Sequence, residues 1–423
     1  MLQCDEGKCP VGALFLFALS YITFRPMLRK ILFKSSIRLT DSNKVSVPGK
    51  VLFSLDEQVK WTDYILNCMG LFVSVFYSGY RVYKALKKYK SVKYAISITR
   101  NVSRITGWVC SLKLPMPVRY IMYGSFAKFY GINMQEVDEP DFGHYETFTK
   151  FFTRTLKDGV RPVDQPTNKK TMCSPADGRV LTCGTINSEF STIDCVKGRS
   201  YRLDEFMLGV KGNTNTCDQV EETENNSEIA AMLQKVKERG NQLFYMVIYL
   251  SPADYHRFHS PAIHTGDYRR HVVGYLSPVK PSHVNKHKDV FKNNERVNVF
   301  GRWEQGFYFE SAVGATNVGS IKLDFDEEVL TNQMLPQYPY FQDKSYLTTV
   351  SAEKATPFYK YLTQSDFSEE NKSSLNFEKA QMTGRFEMGS TVVLVFEADQ
   401  KTSLNVHEGK KLFVGEPILK RED

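Results

Sequence analysis

Short apolar runs separated by turn residues dominate the chain from Cys173 onward. In Val392 to Phe396 no polar residue alternates with the apolar ones, so we expect a strand buried on both faces. Runs of this length bounded by Gly, Pro, Asn and Asp are typical of strands, and they predict a mainly antiparallel sheet domain. The runs are GRVLTCGTI, LFYMVIYL, RRHVVGYL, RVNVFGRW, GFYFESAVGATNVGSIKLDF and STVVLVFEA.

The segment before this domain has a helical pattern. Residues 82–150 are expected to form a helical, membrane-facing region, with YIMYGSFAKFYGINM as its clearest apolar part. Residues 64–80, YILNCMGLFVSVFYSGY, carry no charge and are long enough to cross a bilayer. A buried core helix is the alternative. We predict a transmembrane helix at 63–81, because the basic flank RVYKALKKYK follows directly; the positive-inside rule places that flank on the matrix or cytoplasmic side. The predicted fold class is therefore α+β with an N-terminal transmembrane segment.

Residues 1–62 have the composition of a targeting region. Between Thr23 and Leu55 the only acidic residue is Asp41, among seven Lys and Arg residues and several serines. This composition is typical of a mitochondrial transit segment, although Asp5 and Glu6 near the start are unusual for one. A secretory signal peptide is the alternative, but no clear small-residue cleavage site follows the apolar stretch.

Two polar segments, 211–241 with one possible helix and 342–378, interrupt the strand pattern and are predicted to be surface insertions or flexible loops. The 423 residues, 42% of them apolar, suffice for one large domain or two ordinary ones. A net charge of +8 suits an anionic membrane or a nucleic acid. Nucleic acid is not expected, because the chain has no zinc-finger spacing, no RNP-like motif and no long basic block. The eight cysteines form no CxxC pair, which argues against a zinc site or a compact disulfide framework.

Three motifs contain the residue types of an activated hydroxyl. Asp177 lies in CSPADGRVL, His256 and His259 lie in YLSPADYHRFHSP, and Ser390 follows Gly389 in GRFEMGSTVVLVFE. Ser, His and Asp together suit nucleophilic chemistry, although Ser390 is not in a GxSxG elbow. Taken singly, the Asp-Gly and Gly-Ser steps are ordinary turns. The two histidines would share one face of a helical turn, but without a recognisable third ligand no metal site is expected.

The motifs together resemble the phosphatidylserine decarboxylase family, in its mitochondrial, animal-type branch. The resemblance covers about residue 92 to about residue 418, with the blocks in the family's order. Met388 stands where the family usually has Leu before Gly-Ser; the two side chains are similar in volume, so we expect little effect. The blocks are FFTRTLKDGVRPV, SPADGRVL, VKGRSYRLDEF, YLSPADYHRFHSPA, NERV, VGATNVGSI and GRFEMGSTVVLVFEA.

The resemblance implies a proenzyme that cuts itself between Gly389 and Ser390. Ser390 attacks the Gly389 carbonyl to give an ester, and β-elimination followed by hydrolysis leaves a pyruvoyl group at position 390. The β chain then ends at 389, and the α chain is 390–423. His259 matches the base that activates the serine, and Asp177 matches the carboxylate that orients this base. Cleavage is not expected at the second Gly-Ser step, 319–320.

The resemblance also implies the reaction and its setting. The pyruvoyl group forms a Schiff base with phosphatidylserine and accepts the electrons released with carbon dioxide, which gives phosphatidylethanolamine. His256 matches the position implicated in protonation. The catalytic domain, 151–423, should meet an anionic membrane at the mitochondrial inner membrane and face the intermembrane space, in conflict with the basic flank of 63–81. A homo-oligomer is one option. A Ser-His-Asp lipid hydrolase and a non-catalytic membrane scaffold are the alternative functions.

Overall fold

The computed structural model describes residues 46–47, 51–52, 92–186, 192–195, 199–209, 219–284, 290–316, 320–333, 341–348 and 372–421. The predicted transmembrane helix at 63–81 lies outside these residues, as does the targeting region 1–62 apart from two short strands. Among the helices that are described, none is both long enough and apolar enough to cross a bilayer.

Helices cluster at the start of the described chain, as the pattern of residues 82–150 predicts. The helix α2 has Pro117 in its first turn, where the missing N–H of proline would have no partner within the helix, and it ends at Tyr130, before Gly131 with φ 72°. The α-helices are α1 (Val92–Cys110), α2 (Met116–Tyr130), α3 (Phe148–Phe152), α4 (Leu203–Leu208), α5 (Gln219–Glu238), α6 (Pro281–Val284) and α7 (Val290–Asn293), and a 3₁₀ turn covers Phe142–His144.

Strands make up most of the rest, as the apolar runs predict. They are β1 (Ser46–Val47), β2 (Val51–Leu52), β3 (Gly178–Thr185), β4 (Thr192–Cys195), β5 (Arg199–Arg202), β6 (Asn241–Leu250), β7 (Arg257–His259), β8 (His264–Val272), β9 (Arg296–Trp303), β10 (Gly306–Val313), β11 (Ile321–Leu323), β12 (Phe341–Ser345), β13 (Leu347–Thr348), β14 (Lys372–Ser373), β15 (Leu375–Phe377), β16 (Met382–Phe386), β17 (Ser390–Asp399), β18 (Thr402–Leu404), β19 (Lys411–Leu412) and β20 (Leu419–Arg421).

Within the described residues, nine strands form one antiparallel sheet in the order β12-β8-β9-β10-β17-β6-β3-β19, with β15 also paired to β8. Its central strand β17 is buried along nearly its whole length. Val393 and Val395 belong to one apolar cluster, whereas Val392, Leu394 and Phe396 belong to another. Because successive side chains of a strand point to opposite faces, the sheet has a core on each side, which explains the uninterrupted apolar run.

Different elements cover the two faces of this sheet. The first cluster includes side chains of α2, α3, α4 and α5. The second includes Phe258 and Phe386, which belong to a small antiparallel sheet of order β11-β16-β7. Two connections join the large sheet to the small one, 251–256 between β6 and β7 and 387–389 between β16 and β17. They run side by side, because Ser390 pairs with Leu250 in the large sheet and Arg385 pairs with Arg257 in the small one.

The two predicted insertions are more ordered than a surface loop. In 211–241, the helix α5 packs Ile229, Met232, Leu233 and Val236 into the first apolar cluster. In 342–378, the strands β12 and β15 pair with β8 and extend the large sheet. The possible helix in 211–241 is therefore confirmed, and the interpretation of 342–378 as a flexible loop is wrong for its paired strands. Residues 210–218 and 349–371 lie outside the described residues.

Candidate active site

Ser390 is the first residue of the central strand β17. It pairs with Leu250, the last residue of β6, at one end of these strands. It is fully buried, and its hydroxyl oxygen has no hydrogen-bond partner among the described residues. The hydroxyl of the next residue, Thr391, is also buried and unpartnered. Buried polar atoms are nearly always paired in proteins. Two buried, unpartnered hydroxyls directly after Gly389 do not stabilise the fold, so they indicate a functional role for this end of β17.

His256 lies in the connection 251–256, which runs beside the connection 387–389, and its carbonyl accepts from the Phe386 amide at 2.9 Å. It is fully buried, and its ring lies 4.0 Å from the ring of Phe152, measured between centroids. Its Nδ1 donates to the Asp254 carbonyl at 2.8 Å, which fixes the tautomer and leaves an unprotonated Nε2 without a partner. Burial, together with the positive charge of Arg154, lowers the His256 pKa to about 3. The imidazole is thus neutral at pH 7.

His259 ends the strand β7 and is held on both ring nitrogens. Nδ1 donates to the Ala380 carbonyl at 2.8 Å, and Nε2 accepts from the Tyr255 hydroxyl at 3.1 Å. Burial lowers its pKa, although the Ala380 hydrogen bond and the charge of Asp177 act in the opposite direction. The ring is therefore a neutral imidazole whose acceptor nitrogen is Nε2, the form that a general base needs.

Asp177 directly precedes β3, at the same end of the strands as Ser390, and is almost fully buried. Arg161 donates to its carboxylate from Nε at 3.1 and 3.2 Å and from Nη2 at 2.7 Å, and the Val414 amide donates at 2.9 Å. The next residue, Gly178, must lack a side chain, because a Cβ there would lie 2.6 Å from the Tyr249 carbonyl oxygen. Asp177 is thus a fixed, buried carboxylate paired with a partly buried cation.

Backbone hydrogen bonds bring the three motifs together. The His259 amide donates to the Pro175 carbonyl, just before Asp177, and the Ser260 amide donates to the Gln381 carbonyl, just before β16. The motif of the two histidines therefore lies between the motif of Asp177 and the segment leading to Ser390. The four predicted site residues share one region, but Asp177, His259 and Ser390 do not form a hydrogen-bonded chain. The Asp177 carboxylate accepts from Arg161 and from the Val414 amide, and the Ser390 hydroxyl has no hydrogen bond within the described residues.

The two histidines do not share a helical turn. His256 precedes β7 and His259 ends it, so the segment between them is extended. The helical turn on which this spacing would place both imidazoles on one face is therefore not formed, because the spacing alone does not determine the backbone conformation. The two imidazoles consequently have different neighbours, Phe152 for His256 and Tyr255 for His259. Within the described residues no cluster of three or more His, Cys, Asp or Glu side chains could hold a metal ion.

Sequence reasoning did not single out two arginines of this region, Arg154 and Arg161. Arg161 clamps Asp177 and also pairs with Glu136 at 2.8 Å. Arg154 is buried next to the loop of His256 and donates from Nη2 to the Ala253 carbonyl at 2.8 Å and to the Asp254 carbonyl at 3.4 Å. Both belong to the block FFTRTLKDGVRPV. The available signal was a pair of arginines in a block that starts with aromatic residues expected in the core.

The comparisons with known proteins agree on one family. A family model described as phosphatidylserine decarboxylase matches residues 148–420. The mitochondrial phosphatidylserine decarboxylase proenzyme of Rattus norvegicus is 32% identical over 367 residues, which cover 81% of each chain. That of Pongo abelii is 32% identical over 417 residues, covering 92% of this chain and 90% of the relative. Proenzyme 1 of Saccharomyces cerevisiae is 32% identical over 374 residues, covering 75% of this chain and 71% of the relative.

Proposed function

The chain belongs to the phosphatidylserine decarboxylase family, and from this membership we infer that it is a mitochondrial enzyme that converts phosphatidylserine to phosphatidylethanolamine and carbon dioxide. Like its relatives it is a proenzyme that processes itself. The observation that carries the assignment to this chain's own residues is the buried, unpartnered hydroxyl of Ser390, directly after Gly389 and at the end of a sheet strand.

The self-cleavage site is proposed to be Gly389–Ser390. The Ser390 oxygen attacks the Gly389 carbonyl carbon; its bond to that carbon forms as the peptide C–N bond breaks, which gives an ester. Removal of the proton from the Ser390 Cα then expels the Gly389 carboxylate, and hydrolysis releases ammonia and leaves a pyruvoyl group. The residues present fit this group: the precursor hydroxyl is intact, fully buried and not committed to any hydrogen bond among the described residues.

His259 is proposed to be the base that accepts the Ser390 proton, and Asp177 to support it by charge. The support is the neutral His259 ring with its acceptor Nε2, and the Asp177 charge that raises its pKa. The orientation of the ring comes from the Ala380 carbonyl, which holds Nδ1–H. In the uncut chain Nε2 is occupied by the Tyr255 hydroxyl, so release of this hydrogen bond must precede proton transfer.

His256 is proposed to supply a proton during turnover. The pyruvoyl ketone supplies an electrophile that takes the substrate's amine and withdraws the electrons released as carbon dioxide leaves. The carbon that loses carbon dioxide must then gain a proton, and His256 Nε2 is a buried nitrogen with no competing partner. Phe152 packs on the imidazole and helps to exclude water from it. His256 is neutral at rest, so it must first take up the proton that it delivers.

The membrane-facing surface is proposed to be the outer face of α1 and α2. In α1 the buried side chains include the polar Arg100, Ser103 and Thr106 and the apolar Val109 and Cys110, whereas Trp108 is 62% exposed. Arg100 reaches Glu295 at 2.8 Å in a buried ion pair. Large apolar side chains such as Ile105 and Trp108 are exposed on this helix although polar side chains are buried in it, and exposed apolar side chains of this kind suit a bilayer better than water. The exposed apolar set in α1 and α2 is Ile105, Trp108, Met116, Ile121, Phe129 and Tyr130.

Vesicle binding tests this surface. In protein that begins at residue 92, we expect Trp108→Ser with Phe129→Ser to weaken co-sedimentation with phosphatidylserine vesicles more than tenfold, since each buried aromatic contributes about 1.5–3 kcal/mol. Leu330→Ser, which removes an exposed apolar side chain elsewhere, is the matched control and should bind as the parent does. Lys113 and Lys128 flank the surface, so binding should also weaken as salt rises. An equal loss of vesicle binding in the Trp108 and Phe129 double variant and in Leu330→Ser would contradict the proposal.

The catalytic domain is proposed to face the intermembrane space of the mitochondrion, at the inner membrane.

The activity itself is tested by incubating purified protein with detergent-dispersed phosphatidylserine and measuring phosphatidylethanolamine and carbon dioxide. The parent should form both in equal amounts, and Ser390→Ala should form neither. Release of fatty acid by an uncut chain would instead indicate a lipid hydrolase that uses Ser390 directly.

A further inference from the structure

Arg154 is a buried cation with unused hydrogen-bonding capacity. It is 4% exposed, and only its Nη2 is paired, with the carbonyls of Ala253 and Asp254. Its Nε and Nη1 are buried and have no hydrogen-bond partner among the described residues. No ion pair joins it to a carboxylate of that part of the chain, in contrast to Arg161, whose Nη2 reaches both Glu136 and Asp177. The difference is notable because both arginines lie in the same sequence block.

The cost of this arrangement indicates a missing anion. A guanidinium taken out of water is expensive unless a negative charge and hydrogen bonds replace the lost water. Burial accordingly lowers the pKa of Arg154. Two carbonyl oxygens compensate only one of its three nitrogens. The charges of Asp177, Asp254 and Glu136 offset the effect of burial only in part, and none of these carboxylates forms an ion pair with Arg154. A buried cation whose N–H groups lack a carboxylate partner is a site for an anionic ligand.

The geometry places this site next to the catalytic imidazole. The Asp254 carbonyl accepts from His256 Nδ1 at 2.8 Å and from Arg154 Nη2 at 3.4 Å, so the two side chains share one acceptor. His256 packs on Phe152, which is two residues from Arg154. The guanidinium of Arg154 and the imidazole of His256 are therefore neighbours around one carbonyl oxygen, and a ligand as large as a phospholipid head group can reach both.

We propose that the unpaired N–H groups of Arg154 bind the phosphodiester of the substrate's head group. This rests on the proposed function, which brings phosphatidylserine to His256. Phosphatidylserine carries two anions, a carboxylate and a phosphodiester. The carboxylate loses its charge as carbon dioxide leaves, so a cation bound to it would stabilise the ground state more than the transition state. The phosphodiester keeps its charge throughout, and arginine N–H groups suit phosphate oxygens.

The same contact affects the proton supply. The charge of Arg154 is the second cause, after burial, that keeps the pKa of His256 low. A phosphodiester bound to Arg154 offsets that charge and raises the pKa of His256 toward the range in which the imidazole takes up a proton. Substrate binding and proton uptake are then linked through one arginine.

Competition with two soluble head-group analogues tests the proposal in the processed, full-length enzyme. Glycerophosphoethanolamine has the amine and the phosphodiester but no carboxylate, whereas O-methylserine has the amine and the carboxylate but no phosphate. We expect Arg154→Gln to weaken inhibition by glycerophosphoethanolamine about 10- to 100-fold, as for the loss of a charge-assisted hydrogen bond. Inhibition by O-methylserine should change less than threefold. Arg154→Lys, which keeps the charge, should give an intermediate loss and provides the same comparison if the Gln variant does not process itself.

The control is Arg257→Gln. Arg257 donates to the Thr153 carbonyl at 2.9 Å, next to Arg154, so this variant removes a nearby positive charge with a satisfied hydrogen bond. It should leave inhibition by both analogues unchanged. The proposal is overturned if Arg154→Gln weakens O-methylserine instead, if it weakens neither analogue, or if glycerophosphoethanolamine does not inhibit the parent. Failure of the proposed function looks different, because the parent would then form no phosphatidylethanolamine.

Discussion

Replacing Arg161 by Met removes the side-chain donors of a buried carboxylate. Asp177 accepts from Arg161 Nε at 3.1 and 3.2 Å and from Nη2 at 2.7 Å, and the Asp177 side chain is only 3% exposed. Removal of one partner from a buried pair leaves an uncompensated charge, which costs about 3–5 kcal/mol. Asp177→Asn removes that charge, so in its background the same Met substitution should cost only about 1 kcal/mol, the value of an ordinary hydrogen bond. The expected coupling between the two residues is therefore at least about 2 kcal/mol.

Chemical denaturation of the four combinations measures this coupling. All four proteins carry Ser390→Ala, so that none is cleaved and the compared chains have the same covalent structure. The contacts of Arg161 with Glu136 and Phe413 are lost in both backgrounds and cancel in the cycle. A coupling below about 0.5 kcal/mol would refute the reasoning, because Asp177 would then not depend on Arg161 for its burial as an anion.

Two further predictions concern groups with shifted pKa values. His259→Ala should remain full-length on a denaturing gel, whereas His256→Ala should still be cut, at least partly, but form little phosphatidylethanolamine; two full-length variants would remove the division of roles. Burial raises the pKa of Glu310 from 4.5 to about 7. Stability from its protonated form is therefore present below pH 4.5 and lost as pH rises through 7. The free energy of unfolding of Glu310→Gln minus that of the parent should therefore be about 3 kcal/mol larger at pH 8 than at pH 4.5. A difference between the two proteins that does not change with pH would contradict this prediction.

The strands of the large sheet could be predicted because their burial leaves a direct mark on the sequence. A strand with a core on each face needs apolar residues at every position, and Val392 to Phe396 meet this requirement. Asp177 and Ser390 could be located at strand ends because glycines adjoin them. The helix α5 could be predicted only as a possible helix, because the polar residues before Ile229, Met232, Leu233 and Val236 dominate the composition of the segment although these four have helical spacing.

The contacts of the site could not be predicted in the same way. The ion pair of Arg161 with Asp177 depends on which chain segments pack together, and so do the unpaired N–H groups of Arg154. No periodic pattern in the sequence indicates either of them. The HxxH spacing was ambiguous, because it is compatible with a helix and with the extended segment that the structure has. The family resemblance named the residues, while the structure shows that the Ala380 carbonyl holds His259 and that Arg161 holds Asp177.

The intact mass of the purified protein tests the central claim most directly. Self-cleavage at Gly389–Ser390 predicts two chains: one that ends at Gly389, and one that spans 390–423 and is lighter by one ammonia than its sequence, because a pyruvoyl group replaces the N-terminal serine. A chain 390–423 with a free amino group would contradict the pyruvoyl group. A single uncut chain of 48.6 kDa that still decarboxylates phosphatidylserine would contradict the account as a whole.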